Sequence, residues 1–164
     1  MADPAPLNPY AAPAVVEPIG SGPIASNSPA FQLYSVSAIT LAGFLGAIMA
    51  AATLLALNYL RIGRHLAAAI MLNLGALFTI GNFALTFVLP EEAPSWPFWI
   101  GHTLLAYVLA AGTQSHLVAD HQRRGGKLAS IWWAVGISIV VSICTLVLYF
   151  VIMEVVPDRY LGIE

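Results

Sequence analysis

The residues of this chain with a capacity for chemistry are few and scattered. Its imidazoles are His65, His102, His116 and His121, and its single thiol is Cys144. A metal or haem needs several such ligands in one place. His102 and His116 would lie about 21 Å apart along one helix, so they cannot share an ion. His65, His116 and His121 could meet near one membrane surface if the helices pack suitably. Set against that is a plainer role, as interfacial groups bonded to backbone, water or headgroups. A lone cysteine forms no intrachain disulfide and no thiolate cluster. Its place deep in an apolar run reads as that of a small packing residue. Gly125 and Gly126 stand without a surrounding phosphate-loop or dinucleotide pattern and read as a hinge at a helix end. No constellation reaches the specificity of a catalytic motif. The expectation is a non-enzymatic protein without metal or cofactor.

The elements that must carry these residues are membrane helices. Charged residues make up 9% of the chain and hydrophobic ones 59%, against about 25% and 45 to 50% in an ordinary soluble domain. Four long apolar stretches, residues 36–60, 67–89, 98–117 and 131–156, each approach or exceed the roughly 20 residues that cross about 30 Å of hydrocarbon as a helix. Connections between them are short, which predicts an all-α, four-helix transmembrane bundle of two antiparallel hairpins. Residues 1–35 form a separate unit, a disordered Pro-rich tail, because seven of the eleven prolines lie at or before Pro29 and such a stretch buries too little to repay ordering. It has neither the basic start nor the continuous apolar core of a signal peptide. Residues 36–156 are the transmembrane domain, and 157–164 a short tail.

Orientation follows from charge. Arg61 and Arg64 occupy the first connection and Arg123, Arg124 and Lys127 the third, whereas the second holds Glu91 and Glu92. The positive-inside rule places the first and third connections in the cytoplasm and, with four crossings, both termini outside. Trp96 and Trp99 then fall at the outer interface, Trp132 and Trp133 at the inner one. The five basic residues would form a cytoplasmic face beside anionic headgroups. The net charge of −2 and the lack of an aromatic and basic patch give no sign of nucleic acid.

Two small-residue stripes repeat every fourth position, Ala42, Gly46 and Ala50 on the first helix and Ala134, Ser138 and Ser142 on the last. That spacing lets backbones approach closely, inside the bundle or across an oligomer. Polar groups within the spans include Asn58, Asn73, Asn82 and Gln114. Asn73 and Asn82 point to opposite faces of their helix, which suits interhelical hydrogen bonds better than a polar conduit. No Asp, Glu, Lys or Arg lies deep in a span, which counts against an ion-coupled pump. Both basic turns read R-x-G-x-x-L-A, 62 residues apart. Parallel repeats would produce this, and so would two helices that end alike in a basic residue and a glycine cap.

Leu33-Tyr34-Ser35, Leu41-Ala42-Gly43-Phe44-Leu45-Gly46 and Asn58-Tyr59-Leu60-Arg61-Ile62-Gly63 resemble the opening of a group of small bacterial four-helix integral membrane proteins with an L-Y-S, A-T-F-L-G, N-Y-x-x-L-G pattern. Gln114, His121, Gly125, Gly126, Ser130 and Trp132 are similar to that group's second half. The chain departs from the pattern at Gly43, where threonine is common, and at Ala47 and Ile48, where a Gly-Pro or similar pair is expected. The resemblance implies a bacterial inner-membrane bundle and no activity. It directs attention to Tyr34, Ser35, Asn58, Tyr59, His121 and Gly125, and with Gln114 and His116 the polar ones among these make up the candidate functional polar residues. Tyr34 and Ser35 are also explicable as an interfacial anchor and a helix N-cap, and Asn58 and Tyr59 as a hydrogen-bonded seal at the inner end of the first helix.

The leading functional expectation is an accessory or assembly component of a membrane complex, in contact with the lipid bilayer and with a membrane-protein partner or further copies of itself. The alternative is a small oligomeric channel or carrier for a neutral or weakly polar solute.

Overall fold

A computed structural model describes residues 29–86, 88–90 and 92–155, with the side chains of residues 86, 153 and 155 left aside. Of the expected tail over residues 1–35, residues 1–28 lie outside the described residues, as do Phe87, Glu91, Val156 and the expected tail over residues 157–164. Those described form four α-helices, α1 (Val36–Arg61), α2 (His65–Thr86), α3 (Trp96–Arg123) and α4 (Ile131–Val155). By length and composition α1, α2 and α4 can each cross a membrane. Helix α3 is the longest at 28 residues, but His102, Gln114 and His116 interrupt its apolar run.

Helix α1 does not run straight. Gly46 (φ −125°, ψ 22°) and Ala47 (φ 54°, ψ −170°) leave the helical region and divide it into two limbs, residues 36–45 and 48–61. A straight helix would separate residues 34 and 58 by about 36 Å, yet the Tyr34 amide donates to Asn58 Oδ1 at 2.8 Å. Near the bend, a Cβ placed on Gly43 would sit 3.6 Å from that of Ala51. The limbs therefore fold back on each other as a helical hairpin. At about 15 Å and 21 Å, neither is long enough to cross the hydrocarbon alone. The segment over residues 36–60 has the length and hydropathy expected for one crossing, but it is built as two limbs that reverse at its centre.

This hairpin is the hub of the bundle. Helices α2, α3 and α4 each pack extensively against α1, and no two of them share a comparable interface among the described residues. Residues Ile39, Ala50, Ala51, Leu54 and Leu55 are wholly buried in the resulting core. Its neighbours' directions follow from register. On α2, Ala68 packs with Ala56 and Tyr59, and Gly75 faces Ala52 and Met49 nearer the bend. On α3, Ala106 meets Gly43 near the bend and Gln114 meets Asn58 at the open end. Leu128, just ahead of α4, pairs with Leu33 at the open end, and Ser138 and Ser142 meet Gly46 at the bend. Helices α2 and α4 thus run from the open end of the hairpin towards its tip, and α3 runs the other way.

The hairpin's base is tied by ordinary local chemistry. Ser35 caps the first limb by accepting from the Ala38 amide at 3.2 Å, satisfying one of the donors a helix start leaves free. Both α1 and α3 end in the same double hydrogen-bond pattern around a left-handed glycine. Arg64 N–H donates to Tyr59 C=O and Gly126 N–H to His121 C=O, across Gly63 and Gly125, each with φ 76°. Shared capping chemistry of this kind accounts for the R-x-G-x-x-L-A echo.

Ala47 occupies backbone space that borders a region essentially reserved for glycine, a conformation worth about 1–3 kcal/mol of strain. Replacing Ala47 with Gly is expected to raise stability by about 1 kcal/mol once the greater freedom of unfolded glycine is subtracted. Ala47→Val should lower it. Thermal unfolding of the purified variants in one detergent checks the order Gly, Ala, Val.

Candidate functional site

At the open end of the hairpin, the side chains of Asn58 and Gln114 and the backbone of Tyr34 close a buried amide network. Asn58 Oδ1 accepts from Tyr34 N–H, and Asn58 Nδ2 donates to Tyr34 C=O at 2.9 Å. The same Nδ2 donates to Gln114 Oε1 at 2.6 Å, and Gln114 Nε2 donates to Leu55 C=O at 2.9 Å. Asn58 and Gln114 are 2% and 1% exposed, so each bond forms where no water competes and a missing partner would be expensive. The amide of Asn58 pairs with both backbone groups of Tyr34 as a neighbouring strand would. Tyr59 extends the seal, its hydroxyl donating to Thr113 C=O at 3.4 Å.

The segment ahead of α1 is stitched to the connection between α3 and α4. Leu33 N–H donates to Lys127 C=O at 3.4 Å, and Ala129 N–H to Leu33 C=O at 2.8 Å. His121 lies nearby, its Nε2 3.1 Å from the Lys127 carbonyl and its ring stacked on Phe31 with centroids 5.0 Å apart. Arg61 donates to Gln32 C=O and places its guanidinium 4.9 Å from the Tyr34 ring centre. Tyr34 is buried beneath that cation, which differs from the interfacial anchor expected of it. His116 points away from the network and is exposed, as is His65. Among the described residues, no three His, Cys, Asp or Glu side chains gather as a metal site.

The five basic residues share this end of the molecule. Arg61, Arg64, Arg123, Arg124 and Lys127 are exposed, and the one ion pair they make among the described residues, Arg123 with Asp120 at 3.3 Å, is a surface contact of small energetic consequence. Both small-residue stripes face inward. Ala42, Ala50, Ala134 and Ser138 are buried, and a Cβ on Gly46 would fall 2.9 Å from the Ser138 carbonyl oxygen. Ser142 Oγ donates to Ser138 C=O at 2.8 Å and reaches Leu45 C=O at 3.3 Å. It thereby satisfies a carbonyl that the bend strips of its helical partner.

Beyond the hairpin tip the bundle opens. The hairpin occupies only the half of the molecule near the basic connections, and the space between α2, α3 and α4 in the other half is a cavity of about 610 Å³. Its floor is the bend at Gly46 and Ala47, and its walls carry Asn82, Trp99, His102, Thr145 and Tyr149. Two apolar grooves adjoin it. One of about 280 Å³ lies between α2 and α3 and shares Asn82 and His102 with the cavity. Another, of about 440 Å³ between α1 and α3, shares Phe44 and Trp99. Sequence reasoning noted Asn82 and His102 separately but could not join them, because the cavity exists only once α1 turns back.

Comparison with protein-family models, with curated proteins and with solved structures finds no match to this chain. The class is therefore defined by the structure itself: a multi-pass integral membrane protein of four helices, three of them long and apolar enough to span.

Substituting Asn58 with Leu leaves the Tyr34 backbone and Gln114 Oε1 without buried partners, and is expected to destabilise the protein by about 2–4 kcal/mol. Adding Gln114→Leu should cost less than the sum of the two single changes, with a coupling of about 1 kcal/mol. A double-mutant cycle read by denaturant unfolding in mixed micelles measures both.

Proposed function

We propose that this protein is a non-enzymatic accessory or assembly component of a bacterial inner-membrane complex, working through the lateral faces of its helices and its basic end. One contrast supports the reading. Within the apolar windows of the helices, 61% of the residues of α1 are buried, against 11% for α2 and 6% for α4. A bundle built only to bury itself would share burial more evenly. Here α2 and α4 each spend one narrow face on the hairpin and present the rest to lipid or to neighbouring helices, where close packing and interhelical hydrogen bonds drive association. The carrier reading draws on a different observation, the cavity beyond the hairpin tip. Its floor is packed shut, so transport would require the hairpin to move.

The orientation we propose places the basic connections in the cytoplasm, by the positive-inside rule. The hairpin then enters from the cytoplasmic side and returns to it, and α2, α3 and α4 cross as three antiparallel neighbours. This replaces the two-hairpin bundle expected from four crossings. Gln32 and Tyr34 lie against Arg61, so the N-terminal edge of the described chain is cytoplasmic, and of its two ends only the C-terminal one faces outward with the α2–α3 connection. Exposed Trp132 and Trp133 sit by the basic end and exposed Trp96 and Trp99 at the other, where headgroup levels favour indole rings.

Two measurements test these statements. In a background with Cys144→Ser, a cysteine at Ser95 should react with an impermeant thiol reagent added to intact cells. One at Ala30 should react only after the membrane is opened, and labelling of both from outside would restore four crossings. For the role itself, the protein should be purified from its native membrane in mild detergent with its bound proteins identified by mass spectrometry. A membrane protein retained at matched stoichiometry is the expected result. A homo-oligomer with nothing attached, coupled to solute flux in liposomes, would replace the accessory role with the carrier.

A further inference from the structure

The cavity beyond the hairpin tip has the chemistry of a binding site for a particular kind of lipid. Among the described residues, its lining side chains include no Asp, Glu, Lys or Arg, and Arg61, Arg64, Arg123, Arg124 and Lys127 lie at the opposite end of the molecule. A phosphate-bearing or otherwise charged headgroup would enter unpaired, at a cost of several kcal/mol in such surroundings. This described lining suits a neutral occupant. The walls are not merely greasy, however. Asn82, His102, Thr145 and Tyr149 are half-buried, come from all three helices that surround the space, and use their side-chain polar atoms for no hydrogen bond within the described residues. Amide, imidazole and hydroxyl groups all offer donors to a ligand carbonyl. Aromatic rings complete the wall: Phe83 lies 5.3 Å from Tyr149 and Phe44 lies 5.9 Å from Trp99, centre to centre.

A neutral, flat head with carbonyl oxygens on its edge satisfies all of these groups at once, the rings stacking on its faces and the donors meeting its rim. The adjoining grooves specify the rest of the molecule. Each leaves the cavity between helices, and Leu77, Phe78 and Leu85 line one while Ile100, Leu104 and Tyr107 line the other. These are paths for an apolar tail towards the bilayer, which a small water-soluble solute would not use. We propose that the cavity binds the headgroup of an isoprenoid quinone, with Asn82 and His102 at the junction of cavity and groove donating to its carbonyls and the tail leaving between α2 and α3.

Trp99 in the cavity wall supplies the readout, because quinones quench indole fluorescence on contact. In protein carrying Trp96→Phe, Trp132→Phe and Trp133→Phe, reconstituted in lipid nanodiscs, decylubiquinone should quench the remaining emission saturably at one molecule per chain. Combining Asn82→Leu with His102→Ala removes two neutral hydrogen bonds and should weaken binding about tenfold or more. Ser115→Ala, at an exposed position on α3 remote from the cavity, should leave it unchanged. Thermal unfolding of each variant separates lost binding from lost fold. Linear, non-saturating quenching, or equal quenching of the Asn82/His102 variant and its parent when both are folded, would overturn the proposal. So would equally effective competition by decylbenzene, which has ring and tail but no carbonyl, since the site would then read shape and apolarity alone.

Discussion

The structure depends on one side chain holding a piece of backbone. Asn58 offers Tyr34 the donor and acceptor that an adjacent strand would offer, and in doing so brings the two ends of a 26-residue helical segment together. In an apolar setting, neither Tyr34's peptide groups nor Asn58's amide has a competing partner, so the reversal of α1 and the satisfaction of these groups are one event. Gln114 completes the arrangement by bonding Asn58 on one side and the Leu55 carbonyl on the other. The polar residue that makes α3 a poor span by composition is the one that fastens α3 to the hub.

Small residues make the hub possible. A hairpin of two limbs surrounded by three further helices leaves little room near its tip. Gly43 lies against Ala106 and Gly46 against the Ser138 backbone, so closely that a Cβ at either would clash. The stripes on α1 and α4 therefore act between these two elements, and the faces left over on α2 and α4 are broad, aliphatic and aromatic instead of small. Whatever contacts those faces meets a softer surface than a glycine-lined groove, one suited to lipid chains or to adaptable packing with other helices.

Much of this was legible in the sequence. Hydropathy located all four helices, the capping residues Ser35, Gly63 and Gly125 marked their ends, and the distribution of Arg and Lys grouped the two connections that the structure does bring together. The reversal in α1 was not legible, for a physical reason. An apolar segment of about 25 residues satisfies the length requirement of a spanning helix whether it crosses or returns, and the bend uses Gly46 and Ala47 without a proline to announce it. The departure from the resembled pattern at Ala47 and Ile48, where a Gly-Pro or similar pair was expected, marked the place without giving its meaning. The cavity was hidden for the same reason, because Asn82, His102, Thr145 and Tyr149 become neighbours only if the hairpin stops halfway.

The amide network also orders events in time. Asn58 meets Tyr34 at the near end of its own segment but finds Gln114 across 56 residues of sequence, so when residues 36–61 leave the ribosome, one of the two partners that hold the hairpin has not been made. Until α3 arrives, the Tyr34 pairing alone closes the hairpin. The full amide network is thus completed only after most of the protein has been synthesised.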